Sequence, residues 1–148
     1  MLANLKSAVW KERLEAMNSL KETVEGLSDL DKHAEILVRL VCALPGWSEK
    51  NVQVQQKVLE VVTHIASTAS KFPKRCVVLC ILGVAEKVAD IKTRMQAMKC
   101  LTAFCESIGP NFIFDRLFKI MKEQKNPRSL VKVYYGWSLR LRILELLT

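Results

Sequence analysis

Glycine and proline are scarce here, at 5 and 4 of 148 residues, and no Ser/Gly linker or low-complexity stretch interrupts the chain. Nothing within the sequence reads as a linker between domains, and the length fits one domain or a piece of one. Long apolar runs are also missing. The longest, such as Cys76 to Leu82, are too short to span a bilayer. Met1 to Lys6 lack the apolar segment of a secretory signal, so a reducing cytosol is the expected compartment. There is no Walker loop, GxSxG, HExxH or zinc-ligand spacing, so the sequence carries no signature of a familiar enzyme and no cofactor is expected. Glu12 and Glu15 sit at helix-face spacing and read as solvated. The cysteines, Cys42, Cys76, Cys80, Cys100 and Cys105, are odd in number and form no CxxC pair. Cys76 and Cys80 are one helical turn apart, but zinc would need further ligands, and His33 and His64 stand alone in sequence. Small buried core thiols are the expectation, with no metal site.

What is abundant is apolar residues and positive charge. Half the residues are hydrophobic, enough for a core, and the formal net charge is +8. A basic surface suits nucleic acid, an anionic membrane or an acidic protein face, yet the basic residues are scattered along helices rather than clustered.

Apolar residues recur at helical spacing almost everywhere, without persistent strand-like alternation. Val9 to Val24 carries Leu14, Met17, Leu20 and Val24 on one stripe. Asp31 to Leu44 carries Ile36, Leu37, Leu40, Val41 and Leu44, until Pro45-Gly46 breaks it. Asn51 to Ala69 carries Val54, Val58, Val61, Val62 and Ile65. Pro73 opens a helix through Val77, Leu79, Cys80 and Val84. Asp90 is placed to cap Ile91 to Ser107, and Gly109-Pro110 punctuates before Phe112 to Lys122. Asn126-Pro127 ends that helix, and Ser129 to Leu147 forms a last amphipathic stretch.

These helices repeat. Met17, Val58 and Met98 are spaced by 41 and then 40 residues. Leu20, Val61 and Leu101 keep the same spacing, and Leu141 falls 40 further on. Arg13 to Met17 also reads like Arg94 to Met98. A period near 40 with two helices per unit predicts an all-α HEAT-repeat solenoid of about four two-helix repeats. Such a stack displays its intra-repeat turns along one edge, as a rigid surface for a protein partner. The turns here are Ser7 to Lys11, Gly46 to Asn51, Val88 to Lys92 and Lys125 to Arg128. Trp10 and Trp47 lie in two of them, and Lys11, Lys50, Lys92 and Lys125 give each one a lysine. An aromatic beside basic residues is the composition of an interface hot spot. Trp10 also suits a core position at a helix start, and Trp47 a capping contact in its turn.

The residues at these turns carry a resemblance. Val9-Trp10-Lys11-Glu12-Arg13-Leu14-Glu15-Ala16-Met17 looks like the opening of a TOG domain, the tubulin-binding HEAT module. Pro45 to Gln56, Ala89 to Arg94 and Ala97 to Phe104 resemble an internal TOG domain of the plant members of the XMAP/Dis/chTOG microtubule polymerase family. The likeness covers residues 1 to 128, a partial TOG domain matching three HEAT repeats and part of a fourth. It implies binding to curved α/β-tubulin dimers and microtubule ends in the cytoplasm, with Trp10 packing on tubulin. Lys11, Trp47, Lys50, Lys92 and Lys125 would lie in the matching turns. It implies no catalysis, no small-molecule substrate and no membrane. A HEAT adaptor for another protein and a nucleic-acid-binding HEAT-like fold stay open as alternatives.

After Arg128 the resemblance stops. The family continues with a peptide like VLSEGILWMVSAVEDFG. The chain instead reads through Tyr134-Tyr135-Gly136-Trp137, which TAC TAT GGA TGG would encode. One base along, those letters contain CTA TGG ATG, or Leu-Trp-Met. Residues 129–148 are therefore expected to be an out-of-frame tail. Leu130, Val133, Trp137, Leu141 and Leu144 still fall on one helical stripe, but poorer packing is expected beyond Pro127.

Overall fold

The computed structural model describes residues 2–123 and 136–137. A short 3-10 turn, Leu2–Lys6, leads into six α-helices: α1 Trp10–Glu25, α2 Leu30–Val41, α3 Val52–Thr68, α4 Lys74–Val88, α5 Arg94–Ile108 and α6 Pro110–Glu123. Each helix has an apolar stripe that needs a neighbour. In α1 the stripe is Ala16, Met17, Leu20 and Val24, and in α3 it is Val54, Val58, Val61, Val62 and Ile65.

The stripes meet in two layers. α1, α3 and α5 lie side by side in one, and α2, α4 and α6 form the other. α2 packs on α3, and α4 packs on α5. This is a HEAT-type stack, and the turn between each such pair falls at the start of a helix of the first layer. Leu20, Val61 and Leu101, the residues of one repeat register, are all buried in the core. So are Met17 and Val58, whereas Met98 is only partly buried. Among the described residues α5 is the last helix of its layer, and Trp137 lies against it. Leu141 lies outside the described residues.

The helix boundaries follow local chemistry. The Asn51 side chain accepts a hydrogen bond from the Val54 N–H at 3.2 Å, capping α3. Pro73 precedes α4, and Pro110 opens α6, where a missing N–H costs nothing. Gly109 alone joins α5 to α6 at φ +114°, a conformation that favours glycine.

Three expectations need correction. α2 buries Leu30, Ala34, Val38 and Val41, while Ile36 is 67% exposed. Of the expected stripe, Val41 is buried and Leu37, Leu40 and Leu44 pack partly buried against the core, so only Ile36 faces out, and Leu30, Ala34 and Val38 complete the inner face. Leu79 likewise sits on the outer face of α4. Asp90 does not cap a helix at Ile91. α5 begins at Arg94, and Asp90 Oδ1 instead accepts from the Lys92 N–H at 2.9 Å, closing a tight turn.

The turn expected at Lys125 to Arg128, and residues 129–148 apart from Gly136 and Trp137, lie outside the described residues. Trp137 itself is well seated. Its indole N–H donates to Thr102 Oγ1 at 2.9 Å, and its ring meets Phe114 edge-on with centroids 5.4 Å apart. No helix among the described residues is long and apolar enough to cross a membrane.

Candidate functional site

Three of the four expected turns lie within the described residues, and side chains tie them into one edge. Arg13, in the first full turn of α1, reaches back to the Ser7 carbonyl (2.8 Å) and across to Glu49 in the next turn. The Arg13–Glu49 contact is a two-pronged ion pair, with N···O distances of 2.9 and 2.7 Å. Glu49 also accepts from the Asn51 N–H at 3.2 Å. Gln56 of α3 then donates to the Lys92 carbonyl of the third turn at 2.8 Å. Lys87, at the end of α4, donates to the Trp47 carbonyl at 3.1 Å.

Within each turn a long side chain holds the carbonyl six residues before it. Arg13 holds Ser7 O, Gln55 holds Glu49 O, and Arg94 holds Val88 O. In the third turn the buried Thr93 hydroxyl does the same to Lys87 O at 2.7 Å. Turn carbonyls that would otherwise compete for water are thereby satisfied and the backbone is fixed. In the sequence the parallel between Arg13 and Arg94 marks the repeat register and not the clasp itself. Glu49 gave no signal, because a lone carboxylate in a turn reads as solvated.

Lys11, Lys50 and Lys92 are exposed on this edge. Among the described residues none of them is in an ion pair, so their charge is directed outward. Lys125 lies outside the described residues. Trp10 is half-exposed at the start of α1, away from the core, with the Lys11 ammonium 5.8 Å from its ring centroid. Trp47 differs. It packs against the core with its ring on Gly83 of α4, where a Cβ would overlap it. Its indole nitrogen is buried without a well-formed hydrogen bond. Two apolar side chains not singled out from the sequence share the edge: Val9 is 51% exposed and Ile91 is 78% exposed. Helical periodicity assigns such residues to stripes, so it misses those that face out of turns.

The Cys42 thiol stands at the base of the second turn, 3.5 Å from Cys80 of α4. Donation from the Cys80 thiol to its anion holds Cys42 well below the usual thiol range, at about 7, against the opposing effect of burial. Cys80 is pushed up correspondingly. Among the described residues no three His, Cys, Asp or Glu side chains converge as a metal site would require.

No family model matches the chain. It is 70% identical over 129 residues to Protein MOR1 of Arabidopsis thaliana and equally to Protein MOR1 of Oryza sativa subsp. japonica. Each alignment takes in 87% of this chain and 6% of the relative. Protein mini spindles of Drosophila melanogaster is 30% identical over 132 residues, again across 6% of its length. The chain thus spans a small fraction of the relatives it matches. In structure it resembles Drosophila melanogaster Mini spindles TOG3, with a TM-score of 0.86 and 28% identity, over 94% of this chain and 61% of that one. By sequence over those 129 residues, and by fold over nearly its whole length, this chain is a TOG-type array of HEAT repeats related to MOR1.

Proposed function

We propose that the edge of turns binds curved α/β-tubulin dimers, and that the chain serves microtubule growth and organisation in the cytoplasm, on the spindle and cortical arrays. The observation that carries this reading is the alignment of three turns on one edge with Lys11, Lys50 and Lys92 exposed. Tubulin offers an acidic face, and unpaired lysines on a rigid frame complement it. Trp10 is the apolar anchor, with Val9 and Ile91 widening the contact; Lys125, the lysine of the fourth turn in the sequence, lies outside the described residues. Trp47 supports the second turn from beneath and leaves direct charge contact there to Lys50. Binding to tubulin at this edge needs no cofactor, small-molecule substrate or chemical step. Several such domains in one protein would raise the local tubulin concentration at a growing end. The test is size-exclusion chromatography with purified tubulin, where co-elution at low salt is expected. Separate elution, together with a steep salt slope on duplex DNA, would favour a nucleic-acid reading instead.

For residues 129–148 we propose an out-of-frame tail following the partial TOG domain of residues 1–128. The support is the one-base slide that converts Tyr134 to Trp137 into the family's Leu-Trp-Met. Genomic bases in which no such shift restores a family-like peptide would dismiss it.

A further inference from the structure

The Cys42–Cys80 contact has a chemistry that tubulin binding does not use. The two sulfurs are 3.5 Å apart although the residues are 38 positions apart in sequence. They join the end of α2 to the middle of α4, across neighbouring repeats. All five cysteines carry thiols rather than disulfides. Cys80 is fully buried, whereas Cys42 is partly open to solvent. Cys100 is buried and faces Thr63. Cys76 is buried on α4 one turn before Cys80.

We propose that Cys42 and Cys80 form an oxidation site for small hydroperoxides, in which Cys42 reacts first and Cys80 closes an intramolecular disulfide. In the first step the Cys42 thiolate attacks the terminal oxygen of the hydroperoxide. An S–O bond forms, the O–O bond breaks, and the leaving oxygen takes a proton to depart as water or an alcohol. Cys42 is now a sulfenic acid and the peroxide is reduced. In the second step the Cys80 sulfur attacks the Cys42 sulfur. The S–S bond forms, the S–O bond breaks, and hydroxide leaves with the Cys80 proton as water. Two thiols and one hydroperoxide thus become one disulfide, water and an alcohol, or two waters from hydrogen peroxide.

The environment fits each role. Cys42 is the less buried of the two residues, and its anion is supported by the Cys80 thiol, the Trp47 indole and Arg39. Cys80 is held protonated first by the Cys42 anion and then by burial, and oxidation of Cys42 removes the first of these. In a reducing compartment such a bond is transient and therefore suits signalling. It would pin the turn carrying Trp47 and Lys50 to α4.

The test uses the whole chain, reduced and then exposed to one equivalent of hydrogen peroxide. Free thiols counted after denaturation should fall from five to three. Peptide mapping should find Cys42 joined to Cys80 with the loss of two hydrogens. Cys80→Ser should trap the intermediate, giving a dimedone adduct at Cys42, while Cys76→Ser and Cys100→Ser should still lose two thiols. A disulfide involving another cysteine, or wild-type protein that keeps all its thiols, would overturn the proposal. So would Cys42 oxidised to sulfinic acid without a bond to Cys80.

Discussion

Trp47 and Gly83 show how much one residue position decides. The indole lies on the helix backbone at Gly83, so any Cβ there must push it away. Gly83→Ala would gain helix propensity but overpack the seam, and a loss of about 1–3 kcal/mol is expected. Chemical denaturation of the two proteins checks this, and an unchanged midpoint would mean that the ring has room to move. At the same scale, Cys42 should titrate in the neutral range. Its alkylation rate should rise as pH increases through about 7, where the thiolate forms, and level off above that. In Cys80→Ser, a hydroxyl replaces the thiol donor and the transition should move. Individual contacts of this kind were barely legible from sequence. Trp47, in its Gly-Trp-Ser turn, read equally as an edge aromatic or a capping contact, and only the folded chain shows Gly83 beneath it. An isolated glycine inside a helical pattern does hint at close packing, but it does not name the partner.

At the scale of elements, charged side chains lock neighbouring repeats together. Glu49 is 8% exposed, and its ion pair with Arg13 joins α1 to the turn before α3. Removing one partner strands the other in a poorly hydrated place. Arg13→Ala should therefore destabilise by about 3–5 kcal/mol, whereas replacing both residues with well-packed apolar ones should cost far less. A double-mutant cycle measures the difference. Toward the opposite edge, Asp31 accepts from Ser70 and Lys71, and Glu35 pairs with Arg39 and Arg75. Hydrogen bonds from Ser70 and Arg75 respectively hold the two carboxyls below their ordinary values. The sign is that of a depressed acid. The stabilisation is complete above the ordinary carboxylate range and is lost as pH falls through the lower folded values. Asp31→Asn with Glu35→Gln should flatten the acid limb of stability against pH. Element existence was largely legible, because stripes such as Met17-Leu20-Val24 and Val54-Val58-Val61 are unambiguous. In α2 only Ile36 was misplaced, because the apolar face is broad and packing against α3 and α4 centres it on Ala34, Val38 and Val41. The start of α5 was misread because Asp90 closes a turn that resembles a cap.

At the scale of the whole molecule, the period near 40 residues dictates the stack, and the stack puts the turns on one edge. The repeat register therefore conveyed the architecture, and the lysines of the turns followed from it. What the register did not convey was the fixing of that edge. The i−6 clasps, the Glu49 bridge and the Gln56–Lys92 link come from residues that look solvated in sequence. A rigid basic edge should bind with little ordering cost, and its affinity should fall with ionic strength.

The most direct measurement of the central claim is the equilibrium affinity for tubulin of wild-type protein and Trp10→Ala, each at two salt concentrations, with helicity followed by circular dichroism. An aromatic anchor at an interface centre contributes on the order of 2 kcal/mol. Trp10 lies off the core, so Trp10→Ala should stay helical. It should bind tens of fold more weakly, and both proteins should lose affinity as salt rises. A folded Trp10→Ala protein with unchanged affinity, or wild-type binding indifferent to salt, would contradict the assignment of tubulin to this edge.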